Sequence, residues 1–137
     1  MIELYRTVFV SKTVGVVGQT TLSIAQILGA AERNNRRDHV TGVMLFHDGR
    51  VLQAVEGRRA DLDRLLTRVR DDPRHTEMCI LATIPIQTRR FETPMAMCGL
   101  SSASVERTLN GRTLCELSAP EAENMLASCI VAPAAAA

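Results

Sequence analysis

Val40-Thr-Gly-Val-Met-Leu-Phe-His-Asp-Gly-Arg-Val-Leu-Gln-Ala-Val-Glu-Gly57 decides the fold, because it reads as two strands folded back on each other. Residues 40–46 and 51–55 are rich in β-branched and large apolar side chains, which suit a pleated surface. Between them stands His47-Asp48-Gly49-Arg50, whose Asp-Gly pair tolerates positive φ and is the strongest hairpin signal in the chain. In the second strand Gln53 shares a face with Val51 and Val55 and is the only polar side chain on it.

Working outward, Glu3-Leu-Tyr-Arg-Thr-Val-Phe-Val-Ser11 predicts another strand, with Leu4, Val8 and Val10 on one face and Tyr5, Thr7 and Phe9 on the other. Glycines at 15 and 18 mark a loop. Ile24, Ile27, Leu28 and Ala31 then recur at helical spacing, which predicts a helix over about residues 20–34. Leu62, Leu65, Leu66 and Val69 predict a second helix, ending near Pro73 because the residue before a proline avoids helical backbone. Residues 78–86 read as a fourth strand and 91–100 as a fifth, with Pro94 placing the latter at an edge or bulge.

The order β-α-β-β-α-β-β makes a two-layer, ferredoxin-like α+β sandwich the economical fold, with both helices on one sheet face. Further on, Ser118-Ala-Pro-Glu121 has the form of a capping box and predicts a helix over residues 119–130, with a shorter one over 105–109. The natural division is a domain over residues 1–100 and a C-terminal helical extension with a disordered tail over 101–137, the last alanines (134–137) fraying.

Composition narrows the function. Lys+Arg 16 against Asp+Glu 15 leaves a net charge of +1, and there is no Trp and one Tyr, so neither nucleic acid nor an anionic membrane is an expected partner. The four cysteines (79, 98, 115 and 129) form no C-x-x-C pair, and no apolar run approaches the ~20 residues that span a bilayer. With no signal-peptide pattern at its start, the chain is expected to work in a reducing cytoplasm.

The informative residues are polar ones near the apolar stripes. Asn35 falls within the stripe of the first helix and Asn34 at its margin. Asp72 sits at the margin of the second, with Arg68 further round. Helix-ending Asn caps and an exposed Arg68–Asp72 pair at i, i+4 are one reading. The other is a crevice between the helices where Asn34, Asn35, Gln53, Arg68 and Asp72 offer donors and acceptors to a planar heterocycle. Ile27 and Leu28, with Ile24, would supply apolar contact to the ring faces. None of His39, His47 and His75 sits in a nucleophile or metal motif.

The series Leu4-Tyr-Arg-Thr-Val-Phe-Val-Ser11, Arg33-Asn-Asn35, Val40-Thr-Gly42, Val51-Leu-Gln-Ala-Val-Glu-Gly57, Asp72-Pro-Arg-His75 and Arg90-Phe91 resembles the BLUF family, sensors of blue light using FAD. It covers about residues 3–100 in family order. The resemblance implies FAD with its isoalloxazine ring between the two helices, and Asn34 and Asn35 as the flavin-contacting asparagines. Gln53 would be the glutamine that rearranges on illumination. Arg68 and Asp72 would lie where the family contacts the flavin or its attached chain. It implies a sensory domain rather than an enzyme, a downstream protein partner engaged without a covalent link, and a homo-oligomer.

Two departures accompany the resemblance. The family's tyrosine, from which electron and proton leave for the flavin, falls at Phe9, bracketed without a gap by Arg6 and Ser11. Tyr5 shares its strand face but lies about 13 Å along the strand. The usual tryptophan of the last strand is missing from Thr93-Pro-Met-Ala-Met97, and the nearby methionine position falls on Ala96. The expected function is therefore an FAD-binding sensory domain with an altered or lost photocycle. A flavin-free interaction or dimerisation module is the alternative.

Overall fold

The Asp48-Gly49 turn forms with φ of 49° and 72°, and the strands on either side pair from His47↔Arg50 to Thr41↔Glu56. A computed structural model describes residues 3–15 and 19–128. Its elements are β1 (Leu4–Thr13), α1 (Thr21–Asp38), β2 (Thr41–His47), β3 (Arg50–Gly57), α2 (Arg59–Asp71), β4 (His75–Ile86) and β5 (Ala96–Met97). After these come α3 (Ser102–Leu109), a 3₁₀ turn (Leu114–Glu116) and α4 (Ala119–Ala127).

The sheet order is β4-β1-β3-β2-β5, antiparallel except for the parallel pair β2–β5. This is the ferredoxin-like α+β arrangement the sequence predicts. Gly42 is required by close approach: a Cβ there would lie 2.6 Å from the Ala54 carbonyl oxygen.

Period-two alternation sends β-strand side chains to two cores. Phe9, Met44, Val51 and Val55 pack under α1 and α2 with Ile27, Leu62 and Leu65. Val8, Val10, Leu45, Leu52 and Ala54 pack on the opposite face with Val105, Leu109, Leu114, Leu126 and Phe91. The C-terminal helices thus form a third layer over the sheet. Amphipathic spacing alone does not say which surface such helices cover. The capping box forms as expected, with Glu121 N donating to Ser118 Oγ at 3.2 Å. Gly18, the predicted helical end at Ile130 and the alanine tail lie outside the described residues.

β4 begins at His75 rather than 78 and α3 at Ser102 rather than 105, and two further boundaries differ from expectation in ways that bear on the crevice. α1 does not end at Asn34 with an asparagine cap; it continues to Asp38, and His39 takes the left-handed position with φ of 56°. Arg36 and Arg37 in the last turn favour the negative end of the helix dipole, and Asn35 has a tertiary partner that keeps it within the helix. The fifth strand shrinks from the predicted 91–100 to Ala96–Met97. Its upstream amides are spent elsewhere: the N–H groups of Arg90 and Phe91 both donate to the Glu56 carboxylate at 2.9 Å. Pro94 has no N–H to contribute.

Glu56 anchors the polar side of the C-terminal core. It is fully buried and is met by Arg6 Nη2 at 2.7 Å, while Arg6 also reaches Glu123 of α4 at 3.5 Å. Arg6 lies over the Phe91 ring, 5.8 Å from its centroid.

Candidate functional site

Gln53 stands mid-strand on β3, so it has a neighbour on each side. Phe9 of β1 is directly opposite on one side and Met44 of β2 on the other. All three face α1 and α2. Gln53 is 4% exposed, and among the described residues its carboxamide has no hydrogen-bond partner. No side-chain nitrogen or oxygen sealed from open space lacks a partner among the described residues. The amide therefore opens on the crevice above it rather than into packed protein.

That crevice runs between the two helices and has a cavity volume of about 70 Å³. Ile27, Asn34 and Asn35 line it from α1, Leu65 and Arg68 from α2, and Asp72, Arg74 and His75 from the segment after α2. The helix spacing of Ile27, Ala31 and Asn35 and that of Leu65 and Arg68 turn these side chains inward together. Six of the eight residues singled out from the sequence meet here: Ile27, Asn34, Asn35, Gln53, Arg68 and Asp72. Ile24 and Leu28 do not line the crevice; Leu28 is half-buried against the apolar cluster beneath the helices.

Each polar side chain has a defined setting. Asn35 Nδ2 donates to the Pro94 carbonyl at 2.7 Å, so the α1 wall is tied to the segment leading into β5. Arg68 and Asp72 are not an exposed i, i+4 pair. Arg68 Nη1 instead reaches Asp38 of α1 at 3.1 Å, linking the two helices. Hydrogen bonding by Arg37 is the main influence holding the Asp38 carboxyl below its ordinary range, assisted by Arg68. Asp72 accepts from Arg74 Nη2 at 2.7 Å and from the Arg74 main-chain N–H at 2.9 Å, which lowers its carboxyl in the same way. His75 Nδ1 is 3.0 Å from Ser11 Oγ, and burial pushes the imidazole below its ordinary value. It therefore stays neutral at pH 7.

Sequence reasoning missed Met44, Arg74, His75 and the role of Asp38. Met44 was recoverable: a two-residue turn pairing 47 with 50 necessarily pairs 44 with 53. Arg74 and His75 lie in the quoted Asp72-Pro-Arg-His75 segment but just past the helix, where helical periodicity gives no direction. Asp38 pairs with a residue 30 positions away, a contact only the tertiary fold supplies. Among the described residues no group of three or more His, Cys, Asp or Glu is placed to hold a metal ion.

The match to the family model described as "Sensors of blue-light using FAD" runs over residues 4–96, through all four long strands and both crevice helices. The chain belongs to the BLUF family. A solved BLUF protein, BlrB in its dark state, is 28% identical, with a TM-score of 0.74 over 93% of this chain and 95% of its own. A bacterial light-regulated adenylyl cyclase is 32% identical over 69% of this chain and 27% of its own, with a TM-score of 0.64. The photo-activated state of BlsA, at 20% identity and a TM-score of 0.81 over 95% of this chain, shares the fold through the C-terminal helices.

Among curated proteins, the photoactivated adenylate cyclase subunit beta of Euglena longa is 33% identical over 70 residues. This covers 51% of the chain but only 8% of that relative, so the match is to a small part of a much larger protein. BLUF domains are sensory modules related to blue-light photoreceptors, not catalytic ones. Among the described residues no helix is long and apolar enough to cross a membrane.

Proposed function

We propose that this BLUF domain binds FAD between α1 and α2 and serves as a sensory module whose light response is altered or lost at Phe9. The observation that carries the reading is Gln53: a buried carboxamide, facing the crevice, with no protein partner among the described residues. A buried amide without a partner costs about 1–3 kcal/mol, and a planar heterocycle bearing both donors and acceptors would satisfy it. FAD would supply the chromophore and the electron acceptor.

The chain's own residues divide the remaining work. Asn34 and Asn35 would meet the polar edge of the ring, while Ile27 and Leu65 would offer apolar contact to it. Arg68 and Asp72 would act at the ring or its attached chain. The 70 Å³ cavity is well below the ~300–1,000 Å³ of pockets that bury drug-sized ligands. Entry of a ring therefore requires α1 and α2 to separate, and the Asp38–Arg68 ion pair is a contact that must yield.

Phe9 bears on the light response rather than on binding. It packs fully buried beside Gln53 and offers it no hydroxyl. A proton cannot pass from Phe9 to the glutamine, so the step the family assigns to tyrosine has no donor at this position. The same reading places the protein in the cytoplasm, as a homo-oligomer that signals to a downstream protein by non-covalent contact. The exposed Ile80 and Ile84 on edge strand β4, together with the C-terminal layer, are the surfaces that support such contact.

Equilibrium dialysis of the protein against FAD tests the binding. Stoichiometric uptake is expected, weakened at least tenfold in Gln53→Leu, which keeps the volume and removes the amide. Failure of the folded wild-type protein to retain FAD would leave the flavin-free interaction module as the surviving reading.

A further inference from the structure

Leu4, His39, Arg58 and Arg89 line a surface depression of about 430 Å³ that shares no residue with the crevice walls. The volume falls within the ~300–1,000 Å³ of small-molecule sites. Arg89 is half-buried and fixed by uncharged acceptors. Its Nη1 donates to Thr41 Oγ1 at 2.9 Å and to the Glu56 carbonyl at 2.8 Å, and its Nη2 to the His39 carbonyl at 2.8 Å. A guanidinium has five N–H donors, so the Nε–H of Arg89 and one Nη2 hydrogen meet no acceptor among the described residues. Arg58 spends Nε on Asp61 at 3.0 Å, which leaves both its Nη groups open.

Among the described residues no carboxylate lines this depression. The acidic residues nearest its lining in sequence face other partners: Glu3 accepts from the Tyr5 hydroxyl, Asp38 is held by Arg37 and Arg68, and Glu56 by Arg6. Asp61 is shared between Arg58 and Arg64, so that trio keeps one positive charge, and Arg89 adds a second with no acidic partner. A phosphate monoester carries about −1.5 to −2 at neutral pH, and guanidinium donors match its oxygens. We propose that the depression binds a phosphate monoester, with Arg58 and Arg89 on the phosphate and Leu4 against its organic group.

The site is independent of the flavin reading and uses none of the residues assigned to it. Arg89 is held in place by the residue that closes α1 and by the end of β3, so little side-chain freedom is lost when an anion binds. Arg58 and His39 are exposed, and affinity therefore falls as salt is added.

The test is isothermal titration of phenyl phosphate, and separately of inorganic phosphate, into the full chain at low ionic strength. Saturable one-to-one binding of phenyl phosphate is expected, several-fold tighter than that of inorganic phosphate because the ring meets Leu4. Leu4→Ser should remove that preference. Arg58→Gln should weaken binding about tenfold, and Arg89→Gln at least as much. Arg89 also straps three protein oxygens together, so Arg58→Gln decides the matter if Arg89→Gln fails to fold. Arg107→Gln, which removes the same charge from the surface of α3, should bind as wild type does. Absence of saturable binding would overturn the proposal, as would unchanged affinity in Arg58→Gln or an equal loss in Arg107→Gln. A larger loss in Arg68→Gln than in Arg58→Gln would place the anion in the crevice and overturn it too.

Discussion

The two faces of the sheet treat buried polarity in opposite ways. On the C-terminal face Glu56 is fully enclosed, yet both carboxylate oxygens are occupied by Arg6 and by two main-chain N–H groups. On the helix face Gln53, three residues earlier on the same strand, is almost as buried and has no partner among the described residues. A buried charge with every lone pair met fixes one structure. A buried amide left facing a crevice is a place for something else to bind. On the flavin proposal, stability and ligand recognition are thus separated across the thickness of one strand.

The largest effect should come from breaking the satisfied side. Glu56→Ala leaves Arg6 buried opposite only Glu123 and frees the Arg90 and Phe91 amides, so urea denaturation should show a loss of about 3–5 kcal/mol. If the loss is under about 1 kcal/mol, the closed network is not what holds this face together. Asn35→Ala is intermediate, because it removes the bond to the Pro94 carbonyl and should cost about 1–3 kcal/mol by the same assay.

His75 supplies a pH-dependent effect on the crevice side. Its folded-state pKa is lowered by burial from 6.5, so the unfolded chain takes up the proton first as the solution is acidified. Stability should therefore fall as pH drops through 6.5 toward the lowered value and level off below it. His75→Asn should flatten that part of the stability–pH curve; an unchanged slope would show that His75 is not the group responsible. The smallest effect on stability belongs to Gln53→Leu. Replacing an unpartnered amide by an apolar group of similar volume should leave the denaturation midpoint within about 0.5 kcal/mol of wild type, or raise it. A loss of 2 kcal/mol or more would mean the amide has a protein partner after all.

This contrast also explains what could be read from the sequence. The hairpin, the two crevice helices and the capping box of α4 are local patterns, and each formed where periodicity and turn chemistry placed it. The facing of Gln53 followed from strand alternation alone. The extension of α1 past Asn34 was not visible, because the partner that keeps Asn35 helical is a carbonyl 59 residues away. The loss of most of the fifth strand was hidden for the same reason: Glu56, on β3, claims the amides that strand would have used. Nor does an amphipathic pattern show that Arg68 turns to Asp38 instead of Asp72. Local rules located the elements, while long-range hydrogen bonds set their ends and the wiring of the crevice.

Phe9 and Gln53, facing partners on β1 and β3, are where the flavin proposal is most exposed to test. The direct measurement is the light-minus-dark visible spectrum of the FAD-loaded protein beside that of Phe9→Tyr. The expected result is bound flavin in both, no reversible red shift in the wild type, and a red shift gained when the hydroxyl is restored beside Gln53. A reversible red shift in the wild-type protein would contradict it, since the response would then need no hydroxyl at position 9.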